Sequence, residues 1–252
     1  MKKIAITGAA GNIGGKLRKH LESRYELVLL DQNALSDDAI EEIDLSRWDE
    51  KLVQLCNGVD TIIHLAANPS ATALWLELLK PNIDAMINVY EAASMAGVRR
   101  VVFASSNHAM GGYKDRCEPG TLTVELPPRP GAFFLVGGEE CDSNAYGTSK
   151  LMGERIGRWY SIRHGLSVIA LRIGWVRGGE NRQDDVPEES EDWLKQMWLS
   201  NRDFCQLAEC CIEADPNIRF EVVNAMSNNA DMPWDLEHTR NTVGYEPQDG
   251  RE

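Results

Sequence analysis

Short apolar runs alternate along the chain with longer segments in which apolar and polar positions mix. Lys3-Ile4-Ala5-Ile6-Thr7, Leu27-Val28-Leu29-Leu30, Val59 to Ala67, Val98 to Ser105, Ser167 to Gly174 and Phe220 to Ala225 are apolar nearly throughout. Runs of this length without polar alternation predict strands buried on both faces. Glu42-Ile43-Asp44-Leu45 predicts a further short strand between the second and third of them. The segments between read as helices: Gly14 to about Arg24, a stretch to Leu55 capped by Ser46, and Ala71 to Ala96 with Pro81 at a kink or a new first turn. Tyr146 to His164, Asp192 to Leu199, Arg202 to Ala214 with Ser200 as its cap, and Pro233 to Thr242 complete the set. Strands alternating with helices predict an α/β fold, a doubly wound parallel sheet with helices on both faces. Gly111 to Asn144 breaks the pattern. It is rich in Gly and Pro and lacks periodicity, and such a length inside a compact domain predicts a functional loop. Gly178 to Ser190 predicts a polar loop.

Length and composition fit this picture. The 252 residues, 43% hydrophobic and 26% charged, suit a single domain over 1–252. Segments 107–145 and 175–252 are left to form a small substrate-binding region. The net charge of −13 argues against nucleic acid and anionic membrane surfaces as partners. No apolar run approaches the roughly 18 residues that would span a bilayer. The start Met1-Lys2-Lys3 leads into a strand with no cleavage site, so a cytoplasmic protein with reduced thiols is expected. The six cysteines form no C-x-x-C pair and no His cluster accompanies them, so no metal site is expected. Cys117 and Cys141 share the long loop, and a bridge between them is an open alternative.

Candidate chemistry begins between the first strand and the first helix, at Gly8-Ala9-Ala10-Gly11-Asn12-Ile13-Gly14. Three glycines at this spacing, after a strand and before a helix, are the dinucleotide-binding fingerprint of a Rossmann-type fold. Gly8 permits the turn, Gly11 lets the backbone approach a pyrophosphate, and Gly14 lets helix pack on strand. Ala10, Asn12 and Ile13 lie on the same turn. Asp31 ends the second strand, 23 residues after Gly8, where a carboxylate bonds ribose hydroxyls and repels a 2′-phosphate. Gln32 and Asn33 add no cation, so NAD is expected over NADP. Asp44, with Leu45, either faces the adenine or ends a strand.

Tyr146 and Lys150 stand four residues apart, on one face of a helix. An ammonium there can lower the pKa of the phenol, which then takes a proton from an alcohol. The glycine turn, Tyr146-x-x-x-Lys150 and Ser105-Ser106 after Val101-Val102-Phe103-Ala104 resemble the extended short-chain dehydrogenases/reductases over nearly the whole chain. Phe103-Ala104-Ser105-Ser106-Asn107-His108, Arg172-Ile173-Gly174 and Trp198-Leu199-Ser200-x-Arg202-Asp203 are similar to the uronate dehydrogenases and a sister group of NAD-dependent sugar dehydrogenases that includes glucose-6-phosphate dehydrogenases. The resemblance implies Tyr146 as general base, Lys150 as its tuner and a nicotinamide-ribose ligand, and Ser106 on the reacting oxygen. It also implies Asn82 on a proton-relay water, and Asn107 and His108 on the substrate. Leu65, Ala66, Ala67, Ser105 and Ile173 fall on the cofactor side. Asn68 and Trp175 fall where substrate sits, and the chain departs from the uronate dehydrogenases at Trp175 and at the second position of Asn68-Pro69.

Several residues carry two readings. His64, inside an apolar strand, reads as a satisfied core residue. Lys114, Arg116 and Arg129 either meet a substrate anion or are solvated loop charges. Ile156, Trp159 and Tyr160 are either core or the homodimer interface that the resemblance implies. The expected activity is NAD-dependent oxidation of a free sugar, uronate or sugar phosphate at C1. The alternatives are a nucleotide-sugar epimerase or dehydratase and a non-catalytic NAD-binding regulator.

Overall fold

The computed structural model describes residues 1–136, 138–188 and 190–251. Its strands are β1 (Lys3–Thr7), β2 (Glu26–Asp31), β3 (Ile40–Glu42), β4 (Thr61–His64), β5 (Arg100–Ser106), β6 (Phe133–Val136), β7 (Glu139–Asp142), β8 (Ser167–Ile173) and β9 (Phe220–Ala225). The helices are α1 (Asn12–Leu21), α2 (Glu50–Leu55), α3 (Trp75–Leu78), α4 (Ala85–Met95), α5 (Asn144–His164), α6 (Asp192–Gln196), α7 (Asn201–Glu213) and α8 (Glu237–Val243). Seven strands form one sheet in the order β3-β2-β1-β4-β5-β8-β9, every pairing parallel. The chain winds outward from β1 to β3, returns to β4, and winds outward the other way. The crevice outside the C-terminal ends of β1 and β4 is therefore the switch point where such sheets bind ligands.

The apolar runs are continuous because both sheet faces are covered. On one face Leu17 and Leu21 of α1, with Phe204, Leu207 and Ile212 of α7, pack against Ile4, Ile6, Ile63 and Val102. On the other, Met86, Val89 and Tyr90 of α4, with Tyr160 of α5, pack against Ala5, Ile62, Val101 and Phe103. The pleat sends alternate residues of each strand to opposite cores. A third cluster, Met110, Leu122, Trp193, Met197, Met226, Trp234 and Leu236, joins the long loop to the C-terminal segments. Among the described residues, no helix is long and apolar enough to cross a membrane.

Local chemistry moves several predicted boundaries. The third strand is Ile40–Glu42, and Ile43 only continues it by donating its N–H to the Asp31 carbonyl at 2.8 Å. Ser46 does not cap α2. Its hydroxyl donates to Asp44 at 2.7 Å, and Asp49 caps instead, accepting from the Lys51 N–H at 2.8 Å. Pro81 gives neither a kink alone nor a new α-helical turn. Leu79–Asp84 is a π-helical turn between α3 and α4, a widening that suits a residue with no N–H to donate. The Gly111 to Asn144 loop contains an antiparallel hairpin, with Phe133 opposite Asp142 and Phe134 opposite Cys141. Helix α6 stops at Gln196, because Trp198 pairs with Trp175 in a β-bridge and the Trp175 N–H donates to the Met197 carbonyl at 2.7 Å. Helix α8 starts at Glu237, since Trp234 is already held by a bridge to Leu122. All six cysteines are free thiols, Cys56, Cys205 and Cys211 buried and the others half-buried.

Candidate active site

Beyond Thr7 the chain reverses at Gly8, with φ +72°, and enters α1. A Cβ on Gly14 would stand 2.1 Å from the Gly8 carbonyl oxygen, so helix and turn approach as only glycine allows. Gly11, the N-cap of α1, offers no side-chain acceptor, and the first turn carries no acid. The positive end of the helix is thus left for an anion. Asp31, at the end of β2, accepts from the Ala10 N–H at 3.0 Å and the Asn33 N–H at 3.2 Å, which ties its carboxylate to the glycine turn.

A cavity of about 1260 Å³ opens over this turn and runs along the crevice. Asp31, Asp44 and Leu45 line one end. Gly8, Ala10, Gly11, Asn12 and Ile13 follow, then Leu65, Ala66, Ala67 and Asn68. Ser105, Ser106, Asn107, His108, Tyr146, Lys150, Ile173 and Trp175 line the rest. Gly14 lies behind the wall, in keeping with a packing role.

Tyr146 and Lys150 are both buried on α5. The Lys150 ammonium donates to the Ala104 carbonyl at 2.9 Å and sits 5.7 Å from the centre of the Tyr146 ring. Burial pulls Lys150 down to about 8. Burial also pushes the Tyr146 phenol up to about 12, and only the Ser106 hydroxyl works the other way. In the protein alone the phenol is thus raised rather than lowered, because desolvation outweighs the Ser106 hydrogen bond.

Gly147 fixes the neighbour of Tyr146. A Cβ there would meet the His108 carbonyl oxygen at 2.3 Å, so the 3₁₀ turn Asn107–Tyr113 rests directly on α5. The His108 ring consequently stands edge-on to Tyr146, centroids 5.7 Å apart. Its Nδ1 lies 2.7 Å from the Ser143 hydroxyl, which accepts from the Ala132 N–H at 3.0 Å. The same hydroxyl also lies 3.5 Å from the Ala132 carbonyl, so Ser143 fixes the His108 ring through Nδ1 and leaves Nε2 towards the cavity. Burial holds His108 at about 4, hence neutral. Asn107 donates to the Ile173 carbonyl at 3.0 Å, and its buried Oδ1 has no partner among the described residues.

Other candidates fall elsewhere. Asn82 does not line the cavity. It accepts from the Asn68 N–H at 2.7 Å and donates to the Asn68 carbonyl and the Ser149 hydroxyl, each at 3.2 Å. Both its N–H groups are taken, and it holds Asn68 in the wall. Lys114 pairs with Glu191 at 2.6 Å and Arg129 lies 4.8 Å over the Tyr113 ring; neither they nor Arg116 line the cavity. His64 is a core residue, as its strand suggests. Thr7 accepts from the Leu65 and Ala66 N–H groups and turns its own proton to His64 Nδ1 at 2.7 Å. Burial first, and Lys150 second, hold His64 at about 3.

Sequence reasoning passes over part of the wall. Phe134 and Leu135 come from the hairpin, and Trp193, Leu194 and Met197 from α6 and the bridge beyond it. The apolar run Phe133-Phe134-Leu135-Val136 is the one local signal. Glu154 also goes unpredicted. It lies two turns beyond Tyr146 and pairs with Arg172 at 2.9 Å, and it accepts from the Ser105 hydroxyl at 2.7 Å.

A sequence model of the NAD dependent epimerase/dehydratase family matches residues 4–199. The chain is 36% identical over 259 residues to the NAD-dependent glucose-6-phosphate dehydrogenase of Haloferax volcanii, covering 98% of this chain and 93% of that one. It is 34% identical over 261 residues to the L-arabinose 1-dehydrogenase (NAD(P)(+)) of the same organism, with 99% and 97% covered. Among solved structures, a mutant of uronate dehydrogenase from Agrobacterium tumefaciens complexed with NAD superposes with a TM-score of 0.78 at 30% identity, over 99% of this chain and 86% of that one. Sequence and architecture thus agree over most of the length, and the chain belongs to the NAD dependent epimerase/dehydratase family.

Proposed function

We propose that the protein is an NAD-dependent oxidoreductase that oxidises a sugar at C1 to the lactone. The observation that carries this is the meeting of Tyr146 and Ser106 at one end of a cavity whose other end fits a dinucleotide. The fit rests on Asp31, placed for ribose hydroxyls, and on the uncapped, acid-free first turn of α1, placed for a pyrophosphate. NAD, when bound, supplies the hydride acceptor and a positive ring that favours the phenolate. Ser106 and Tyr146 hold the anomeric hydroxyl, Tyr146 takes its proton, and Lys150 keeps the ribose and the charge in place. Asn107 Oδ1 and His108 Nε2 orient the remaining hydroxyls. Asn82 positions Asn68. One Rossmann-type domain over 1–252 carries the whole, with substrate-binding elements from 107–145 and 175–252.

A dehydratase would need carboxylates beside Ser106. Among the described residues the acids on the wall are Asp31 and Asp44, both at the far end. The direct test is NADH formation at 340 nm from NAD and a panel of free sugars. Activity confined to nucleotide sugars would overturn the reading. Asp31→Ala should raise the KM for NAD about tenfold, the loss of a hydrogen bond to a charged group, and narrow the preference over NADP. Unchanged KM values for both cofactors would remove Asp31 from the ribose site.

The exposed faces of α4 and α5 support a homodimer. Tyr160 is core and Ile156 half-buried, but Trp159 is 53% and Ile162 77% exposed, and Met95 and Met152 are exposed beside them. Apolar groups of this size at adjacent helices suit a subunit interface. Sedimentation should give a dimer, and Trp159→Glu a monomer; a monomeric parent protein would refute the interface.

A further inference from the structure

The part of the cavity beyond Tyr146 is apolar in a way that bears on the substrate. Its wall is built by Phe134 and Leu135 of the hairpin, Trp175, and Trp193, Leu194 and Met197. These groups form one side of the site. Phe134 reaches His108, with ring centroids 6.0 Å apart, and His108 reaches Tyr146. Trp175 is tied to Met197 by the hydrogen bond from its N–H. The cations that line the cavity among the described residues are Lys80 and Lys150. Lys80 acts on Asp44, at the opposite end, and Lys150 is bound to the Ala104 carbonyl behind Tyr146. His108 is neutral. Arg177 does not line the cavity, but its guanidinium lies over the Trp175 ring, 5.2 Å from the centre, and its buried Nη1 has no partner among the described residues. Lys114, in the same loop as the hairpin, is neutralised by Asp115 and Glu191.

We infer that, within the proposed sugar oxidation, on which this rests, the substrate is an uncharged aldose whose end remote from C1 is apolar or absent, a pentose or a 6-deoxyhexose. With C1 held by Tyr146 and Ser106 and the ring hydroxyls by Asn107 and His108, the C5 substituent meets Phe134, Trp175 and the α6 residues. A carboxylate or phosphate there loses water and finds no cation lining the wall, with Arg177 held behind Trp175, a cost that hydrogen bonds to neutral donors do not offset. A methyl group or hydrogen fits the same wall and gains from burial. Aromatic faces also suit the C–H face of a sugar ring. The discrimination thus resides in the absence of a cation at the wall.

The test uses the purified full-length protein, NAD and two matched series. One is D-fucose, L-arabinose, D-galactose, D-galacturonate and D-galactose 6-phosphate. The other is 6-deoxy-D-glucose, D-xylose, D-glucose, D-glucuronate and D-glucose 6-phosphate. Within the favoured series, kcat/KM should be at least about tenfold higher for the deoxy sugar or pentose than for the acid or phosphate. Leu135→Arg and Leu194→Arg, both at side chains that are not fully buried, should narrow or reverse that ratio by raising turnover of the acid. A parent protein that prefers the acid or the phosphate overturns this inference and leaves the sugar dehydrogenase reading standing. Loss of that preference in Arg177→Ala would identify the cation responsible. No turnover of any of the ten sugars overturns the dehydrogenase reading itself.

Discussion

Tyr146→Phe is expected to lower kcat by about 100- to 10,000-fold, the usual range for loss of a positioned general base. The change deletes one oxygen. The ring keeps its edge contact with His108 and its packing with Ala73 and Leu78, so fold and cofactor affinity should survive. Ser106 remains to hold the substrate oxygen, which is why some activity should persist. Two measurements are needed: kcat from NADH formation, and NAD affinity by calorimetry. A large loss of kcat with NAD affinity unchanged places the phenol in the chemical step. Activity within a few-fold of the parent would remove it from that step, and would revive a non-catalytic role for the cofactor site.

Arg172→Leu should cost about 3–5 kcal/mol of stability, because it strands the Glu154 carboxylate in the interior. The pair is 2% and 3% exposed, its guanidinium donating to both carboxylate oxygens at 3.0 and 2.9 Å. Arg172 Nη1 has no partner among the described residues, so even the intact pair is not fully satisfied. At this chain length the loss corresponds to a fall in Tm of roughly 6–20 °C. The double variant Glu154→Leu with Arg172→Leu removes both charges and should recover much of the loss, as apolar replacement of a buried pair often does. Thermal unfolding of the three proteins decides it. A single variant as stable as the parent would mean that water reaches the pair.

Features with a short-range cause were legible in the sequence. The glycine turn, Asp31 at a strand end and Tyr146 one turn from Lys150 each follow from spacing within a single strand–turn–helix unit. Strands buried on both faces announce themselves by unbroken apolar runs, as in Thr61–His64. What escaped depends on contacts between distant segments. Asn82 is held by Asn68 and Ser149, which no local pattern brings together. Phe134 belongs to a hairpin whose strands are only four residues long, inside a loop dominated by Gly and Pro. The buried Glu154–Arg172 pair joins a helix to a strand. The phenol pKa depends on how completely the surrounding fold excludes water, which spacing on a helix does not report.

The distribution of thiols has a practical consequence for labelling. Burial pushes Cys56 up to about 11 and Cys205 up to about 12, and raises Cys211 and Cys210 as well. Such thiols resist a thiolate-seeking reagent at neutral pH. Cys117 and Cys141, both free and half-buried, lie in the segment between Gly111 and Asn144. Cys141 pairs across the hairpin with Phe134, a residue of the cavity wall. With Cys117 replaced by Ser, a fluorophore on Cys141 would report on the environment of that wall.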